Sequence, residues 1–174
     1  RLIFSEFRTF DQVRAELDFL KHLEREGLKV ASNILTTNGR GAIPTPDQKY
    51  WCSVFEYIDG FEMKPGGDHW DEDFFKNWGA HIAKLHVASK SFQLAPFAPE
   101  ACNWYEDLLF KIADQLLAPD DEVGRLAYNQ VLRECTTLKR TPENYGLIHG
   151  EFIPHNFRYN PMSGELIPFG FRNT

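Results

Sequence analysis

Cysteine is scarce: Cys52, Cys102 and Cys135 are the three in 174 residues, far apart and without a CxxC pair. That pattern argues against a disulfide framework and a zinc knuckle, and it fits reduced thiols in a cytoplasmic setting. No apolar run approaches the roughly 18 residues that a membrane span needs, so no membrane partner is expected. The opening RLIFSEFRTF lacks the apolar h-region and small-residue cleavage site of a secretory leader. It also lacks an initiator methionine and reads as a strand entered midway, which suggests that something is missing upstream. Basic charge is in the minority: 19 Lys and Arg against 25 Asp and Glu leave a net charge of -6. Nonspecific attraction to nucleic acid is therefore not expected, although a local basic pocket is compatible with that balance. There is no internal repeat and no low-complexity segment.

What is present is enough apolar content, 43%, to bury a core in one domain or in two small lobes sharing a cleft. Thr9 followed by Gln12 forms a capping-box pattern. Phe10, Val13, Leu17, Leu20 and Leu23 then recur at helical spacing until Gly27, which predicts a helix over 10–26. SNIL at 32–35 and YWCSVFEYI at 50–58 read as strands around a loop that carries an Asn-Gly turn signal and two prolines. Residues 59–69, DGFEMKPGGDH, are rich in turn formers and acid and are the best candidate for a hinge.

Further helices are predicted near 71–89, from Phe75, Trp78, Ile82 and Leu85, and near 103–117, from Trp104, Leu108, Ile112 and Leu116. A third is predicted over 120–138, from Val123, Leu126, Leu132 and Cys135, with Asp120 and Asp121 at its positive end. These stripes read as core packing, and His22, His81 and His86 as ordinary helix residues. In the last thirty residues YGLIHG, NFRYN and ELIPF look like short strands, with a turn over Pro161 to Gly164.

The stretch YGLIHGEFIPHNFRYN, residues 145–160, gathers two histidines, an acid and an asparagine within eight residues. It admits three readings. One is a strand-turn-strand with incidental polar groups. Another is a metal-hydrolase site of His149, Glu151 and His155, although H-x-E-x-x-x-H is not the HExxH helix pattern and Pro154 argues against a helix there. The third rests on family. LIHGEFIPHNFRYN resembles the catalytic loop H-G-D-x-x-x-x-N of the aminoglycoside phosphotransferase and choline kinase-like family, matching at His149, Gly150 and Asn156 with Glu151 in place of the aspartate. Upstream, AELDFLKHLEREGLKV and VFEYIDGFEM resemble that family's first-lobe helix and linker strand.

The resemblance implies a partial α+β, protein-kinase-like two-lobed fold. It would comprise a nucleotide-binding lobe over 1–58, the hinge at 59–69 and a mainly helical catalytic lobe over 70–174. It also implies an ATP- and Mg2+-dependent phosphotransferase acting on a hydroxyl of a small molecule. Glu151 would be the base and His149 a catalytic-loop residue that shapes the loop. Asn156 would be a magnesium ligand, while Glu16 would pair with Arg1 as the phosphate-holding cation. Glu56, Tyr57 and Ile58 would offer backbone hydrogen bonds to adenine. Phosphoryl transfer gives a protein little covalent work, so a positioned carboxylate and hard oxygen ligands around the metal are what such a loop must supply. The acidic residues Asp59, Glu62, Asp68, Asp71, Glu72 and Asp73 suggest a cationic acceptor, or equally a solvated hinge and helix start.

Three features depart from the family pattern. Glu151 is longer than aspartate by one methylene, roughly 1.5 Å, and misplacement by about 1 Å can cost on the order of 10²-fold in rate. In ELIPFGFRNT, Gly170 stands where the family's magnesium-binding aspartate falls, and Arg172 where a second acid often sits. No glycine-rich loop precedes Arg1, and the chain stops before the family's later helices, which predicts exposed apolar surface and self-association. Impaired turnover is expected, and the alternative function is a noncatalytic, pseudokinase-like binding module or fragment.

Overall fold

The computed structural model describes residues 1–96, 105, 110 and 112–171. Contacts divide the chain into a unit of 1–100 with 146–174 and a second of 101–145. The elements that bear on function lie in the first.

Strand β1 (Leu2–Phe4) leads into helix α1 (Phe10–Arg25). The helix starts where the sequence says it should: Thr9 accepts from the Gln12 amide at 3.2 Å, and Gln12 accepts from the Thr9 amide at 2.8 Å. These reciprocal bonds satisfy two of the donors that a helix start leaves open. Val13, Leu17, Leu20 and Leu23 are buried as the stripe requires, while Phe10 is half-buried against Trp51 with ring centroids 5.1 Å apart.

The expected strand at 50–58 is in fact two. Strand β4 (Tyr50–Cys52) pairs antiparallel with β1 and with β3 (Ile43–Pro44), whereas β5 (Val54–Phe55) pairs with β2 (Asn33–Ile34). The chain changes sheet at buried Ser53, whose amide still donates to the Arg1 carbonyl. Strand β3 lies in the segment expected to be loop, and such a two-residue strand carries no periodicity by which to find it.

Helix α2 (Glu72–Ser89) is capped by Asp71, which accepts from the Phe74 amide at 2.9 Å. Its inward face differs from the expected one. Phe74 is fully buried while Phe75 is 45% exposed, so the face runs through Phe74, Trp78, His81, Leu85 and Ala88. Both assignments keep helical spacing, and tertiary contact with Met63, Phe157 and Tyr159 decides between them. His22 does more than occupy α1: its Nε2 lies 2.8 Å from the Ala88 carbonyl and joins α1 to α2.

Of the helix expected near 103–117, only α3 (Ala113–Leu116) is described, and Trp104 and Leu108 lie outside the described residues. Helix α4 (Glu122–Thr137) forms as expected, capped by Asp121 on the Gly124 amide at 2.8 Å. Its stripe is not core: Val123 is 79% and Leu126 70% exposed. An amphipathic period fixes a face, not what covers it.

Strands β6 (Phe157–Asn160) and β7 (Glu165–Pro168) form the predicted hairpin, and Gly164 donates to the Asn160 carbonyl at 2.8 Å across the turn. YGLIHG is not a strand, and it pairs with no ladder among the described residues. Two cores result. One joins α1, Leu85, Ala88 and Phe171. The other joins Met63, Phe74, Phe157, Tyr159 and Leu166, and Phe152 packs against both.

Candidate functional site

Phe152 touches both cores because it belongs to the loop that runs from His149 to Asn156. This loop ends in a single 3-10 turn, Pro154–Asn156. Proline opens that turn, where its missing N–H costs no bond, so Pro154 admits one turn although it would break a longer helix.

His149 is buried. Its Nε2–H donates to the Phe169 carbonyl at 3.0 Å, and its Nδ1 accepts from the Glu151 amide at 3.3 Å. Loss of water lowers its pKa to about 4 from the usual 6.5, and the negative charges of Glu16 and Glu151 only partly offset this. The ring is therefore neutral at pH 7 with both nitrogens engaged. It can neither ligate a metal nor take a proton without breaking the loop, which removes the metal-hydrolase reading. His155, the second histidine of that reading, points elsewhere: its Nδ1–H donates to Glu62 at 2.8 Å, and this bond lowers the Glu62 pKa.

Asn156 closes the loop. Its Nδ2–H donates to the Glu151 carbonyl at 2.9 Å, and its own carbonyl accepts from the Phe169 amide at 2.9 Å. A Cβ at Gly170 would sit 3.1 Å from Asn156 Oδ1. The structure thus brings His149, Glu151, Asn156 and Gly170 together, with the Phe171 ring tilted against His149 at a centroid distance of 4.2 Å and edge-on to Phe19 of α1 at 5.9 Å.

Arg1 and Glu16 also meet. Arg1 Nη2 donates to Glu16 Oε2 at 2.7 Å while Nη1 stands 2.6 Å from Oε1, and the guanidinium lies 5.6 Å from the Phe55 ring centroid. A third member, Arg8, binds the same carboxylate. Sequence reasoning missed it because Arg8 sits in the turn between β1 and α1, where no periodicity marks a residue.

The linker is less uniform than its sequence suggests. The Glu56 amide already donates to the Ser32 carbonyl at 2.9 Å, so a bond from this residue to adenine falls to its carbonyl. The Tyr57 side chain is 89% exposed. Beyond it, Phe61 exchanges two backbone hydrogen bonds with Tyr159, at 2.8 and 3.0 Å, and lies along β6. Gly60 enables that approach: its φ is 135°, and a Cβ would meet the Tyr159 carbonyl at 3.1 Å.

Four acidic groups in the 59–73 run already have partners. Glu62 accepts from His155, Asp71 caps α2, and Glu72 and Asp73 pair with Lys76 at 2.8 and 3.9 Å. The last three mark a helix start.

For a divalent ion the donor set is incomplete. Asn156 Oδ1 is a hard ligand of the right type, but position 170, next to it, is a glycine. Among the described residues no group of three or more His, Cys, Asp or Glu could hold a metal.

This geometry coincides with a known architecture. A solved amicoumacin kinase, hAmiN in complex with AMP-PNP, Ca2+ and Ami, superposes on 99% of this chain and 51% of its own with a TM-score of 0.82 at 24% identity. A microcompartment-associated aminopropanol kinase gives 0.76 at 19% identity, over 98% of this chain and 56% of its own. The fold is therefore α+β and protein-kinase-like, in part.

Residues 1–167 match the model of the phosphotransferase enzyme family, and the chain belongs to that family. Amicoumacin kinase of Bacillus subtilis (strain 168) is 26% identical over 168 residues, covering 94% of this chain and 48% of the relative. The chain thus spans about half the length of this curated relative.

Proposed function

We propose that this chain carries the nucleotide-binding and catalytic-loop part of an ATP-dependent small-molecule phosphotransferase, with transfer impaired by its own residues. The observation that carries the reading is the closed loop of His149, Glu151 and Asn156. It sets an amide oxygen beside position 170, in the unit that also holds the Arg1–Glu16 pair. Its roles follow from chemistry. Glu151 orients and deprotonates an acceptor hydroxyl, and the buried neutral His149 holds the loop rather than exchanging protons. Arg1 meets phosphate, and the linker meets adenine through the backbone of Glu56, Tyr57 and Ile58. The segment 59–69 serves as the join between 1–58 and 70–174. Bound Mg2+ would neutralise phosphate charge, but Gly170 withholds a carboxylate from it, so the residues present do not complete that site.

That same glycine favours a second reading, a pseudokinase-like module that binds nucleotide without turnover. The acceptor is a small molecule with a hydroxyl, as amicoumacin and aminopropanol kinases of this fold suggest by analogy. Free Cys52 and Cys135 suit a cytoplasmic setting, and no described helix is long and apolar enough to cross a membrane. The exposed face of α4 supports self-association.

Thermal unfolding with ATP, with and without magnesium, tests the reading. A ligand selective for the folded state raises its stability as RT ln(1 + [L]/Kd). Stabilisation by ATP with a small magnesium increment is expected, and the absence of any ATP effect would overturn it.

A further inference from the structure

Glu16 is fully buried at the centre of α1, and two arginines serve its one carboxylate. A single guanidinium would neutralise it. The second leaves the cluster with one excess positive charge, an arrangement that fold stability alone does not require.

The two arginines are held differently. Arg8 is anchored on α1: one nitrogen binds Glu16 and the other donates to the Gln12 carbonyl at 3.1 Å. Its backbone is fixed as well, because Trp51 Nε1–H donates to the Arg8 carbonyl at 2.9 Å. Arg8's side chain is 17% exposed. Arg1 is 26% exposed, and besides Glu16 its guanidinium meets the face of Phe55, directly before the linker.

A buried carboxylate that loses its only partner is strongly destabilised. If Arg1 alone served Glu16, turning Arg1 towards a phosphate would leave such a group behind. With Arg8 in place the carboxylate stays paired.

We propose that Arg8 is a positioning residue for nucleotide binding: it keeps Glu16 neutralised so that Arg1 can be shared with, or transferred to, the phosphates. This rests on the phosphotransferase reading above. The planar fork of arginine fits both tasks, since it can bind carboxylate and phosphate bidentately.

The test measures urea unfolding without nucleotide and ATP affinity by calorimetry, on the 174-residue chain and its Arg1→Met, Arg8→Met and double variants. Each single variant should keep a cooperative transition near that of the wild type, whereas the double variant should lose it. Arg1→Met should weaken ATP about tenfold or more, as expected for a charge-assisted hydrogen bond. Arg8→Met should weaken ATP comparably, because Arg1 is then held by Glu16. Adding Glu16→Gln to Arg8→Met should restore affinity, and Arg8→Lys should retain part of it; a purely structural role for Arg8 predicts neither. Unchanged ATP affinity in Arg8→Met, with a binding wild type, overturns the proposal alone. A wild-type chain that does not bind ATP overturns the phosphotransferase reading and the proposal together.

Discussion

His149 Nε2 lies 3.0 Å from the carbonyl oxygen of Phe169, and that hydrogen bond joins the loop of 149–156 to the backbone just before Gly170. Because the ring is buried and neutral, the bond has a pH signature. The folded pKa is about 4, against the usual 6.5, so between those values the unfolded state binds more protons than the folded one. Stability is full above pH 6.5, falls as pH drops through that window and levels off below 4. The loss reaches about 3 kcal/mol. Urea midpoints from pH 7 to pH 4 should show this slope, and His149→Gln should flatten it.

Asn156 uses its amide twice, with Nδ2 on the loop and Oδ1 beside Gly170. Asn156→Ala should lower stability by about 1 kcal/mol through the lost hydrogen bond. It should also abolish any increment that magnesium adds to ATP in thermal unfolding. A variant that keeps the increment would remove Asn156 from the metal.

Gly170 has φ of 72°, a left-handed conformation that aspartate tolerates better than most residues. Gly170→Asp requires the Asn156 amide to yield by a few tenths of an ångström. The variant should therefore lose a little stability, of order 1 kcal/mol. Combined with Glu151→Asp it should give magnesium-dependent stabilisation by ATP, together with ATP consumption faster than that of the parent chain. ATP binding without a magnesium response would favour the binding-module reading.

The neighbours Phe74 and Phe75 separate core from surface on α2. Phe74→Ala should cost about 3–5 kcal/mol, the usual range for a buried phenylalanine. Phe75→Ala, at a position 45% exposed, should cost about 1 kcal/mol or less. Denaturant unfolding of the two variants measures the contrast.

Val123 and Leu126 form an exposed apolar face on α4. If that face drives self-association, Val123→Glu with Leu126→Glu should shift the elution of the chain towards monomer in light-scattering chromatography at high concentration. An identical monomer before and after would dismiss it.

Helix α1 shows how far local information reaches. Its cap, stripe and end follow from Thr9, Gln12, the 3.6-residue period and Gly27, because a helix start satisfies its donors with nearby side chains. The hairpin β6–β7 was equally legible, through its turn between short apolar runs. The spacing of His149, Gly150 and Asn156 was enough to suggest the family, with Glu151 as a departure from its pattern. Helix α2 marks the limit, since its sequence supports two faces one residue apart. The stripe on α4 names a face and no partner.

The order and kind of the main elements, the α1 cap, the turn at 161–164 and the spacing of polar groups over 149–156 were determined by sequence, since each depends on residues a few positions apart. Only the tertiary structure decided that the chain changes sheet at Ser53 and that Phe74 turns inward. It also decided that His149 is dry and neutral and that Arg8 joins Arg1 on Glu16. Burial, desolvation and charge pairing are set by groups distant in sequence, and no local pattern records which of them will meet.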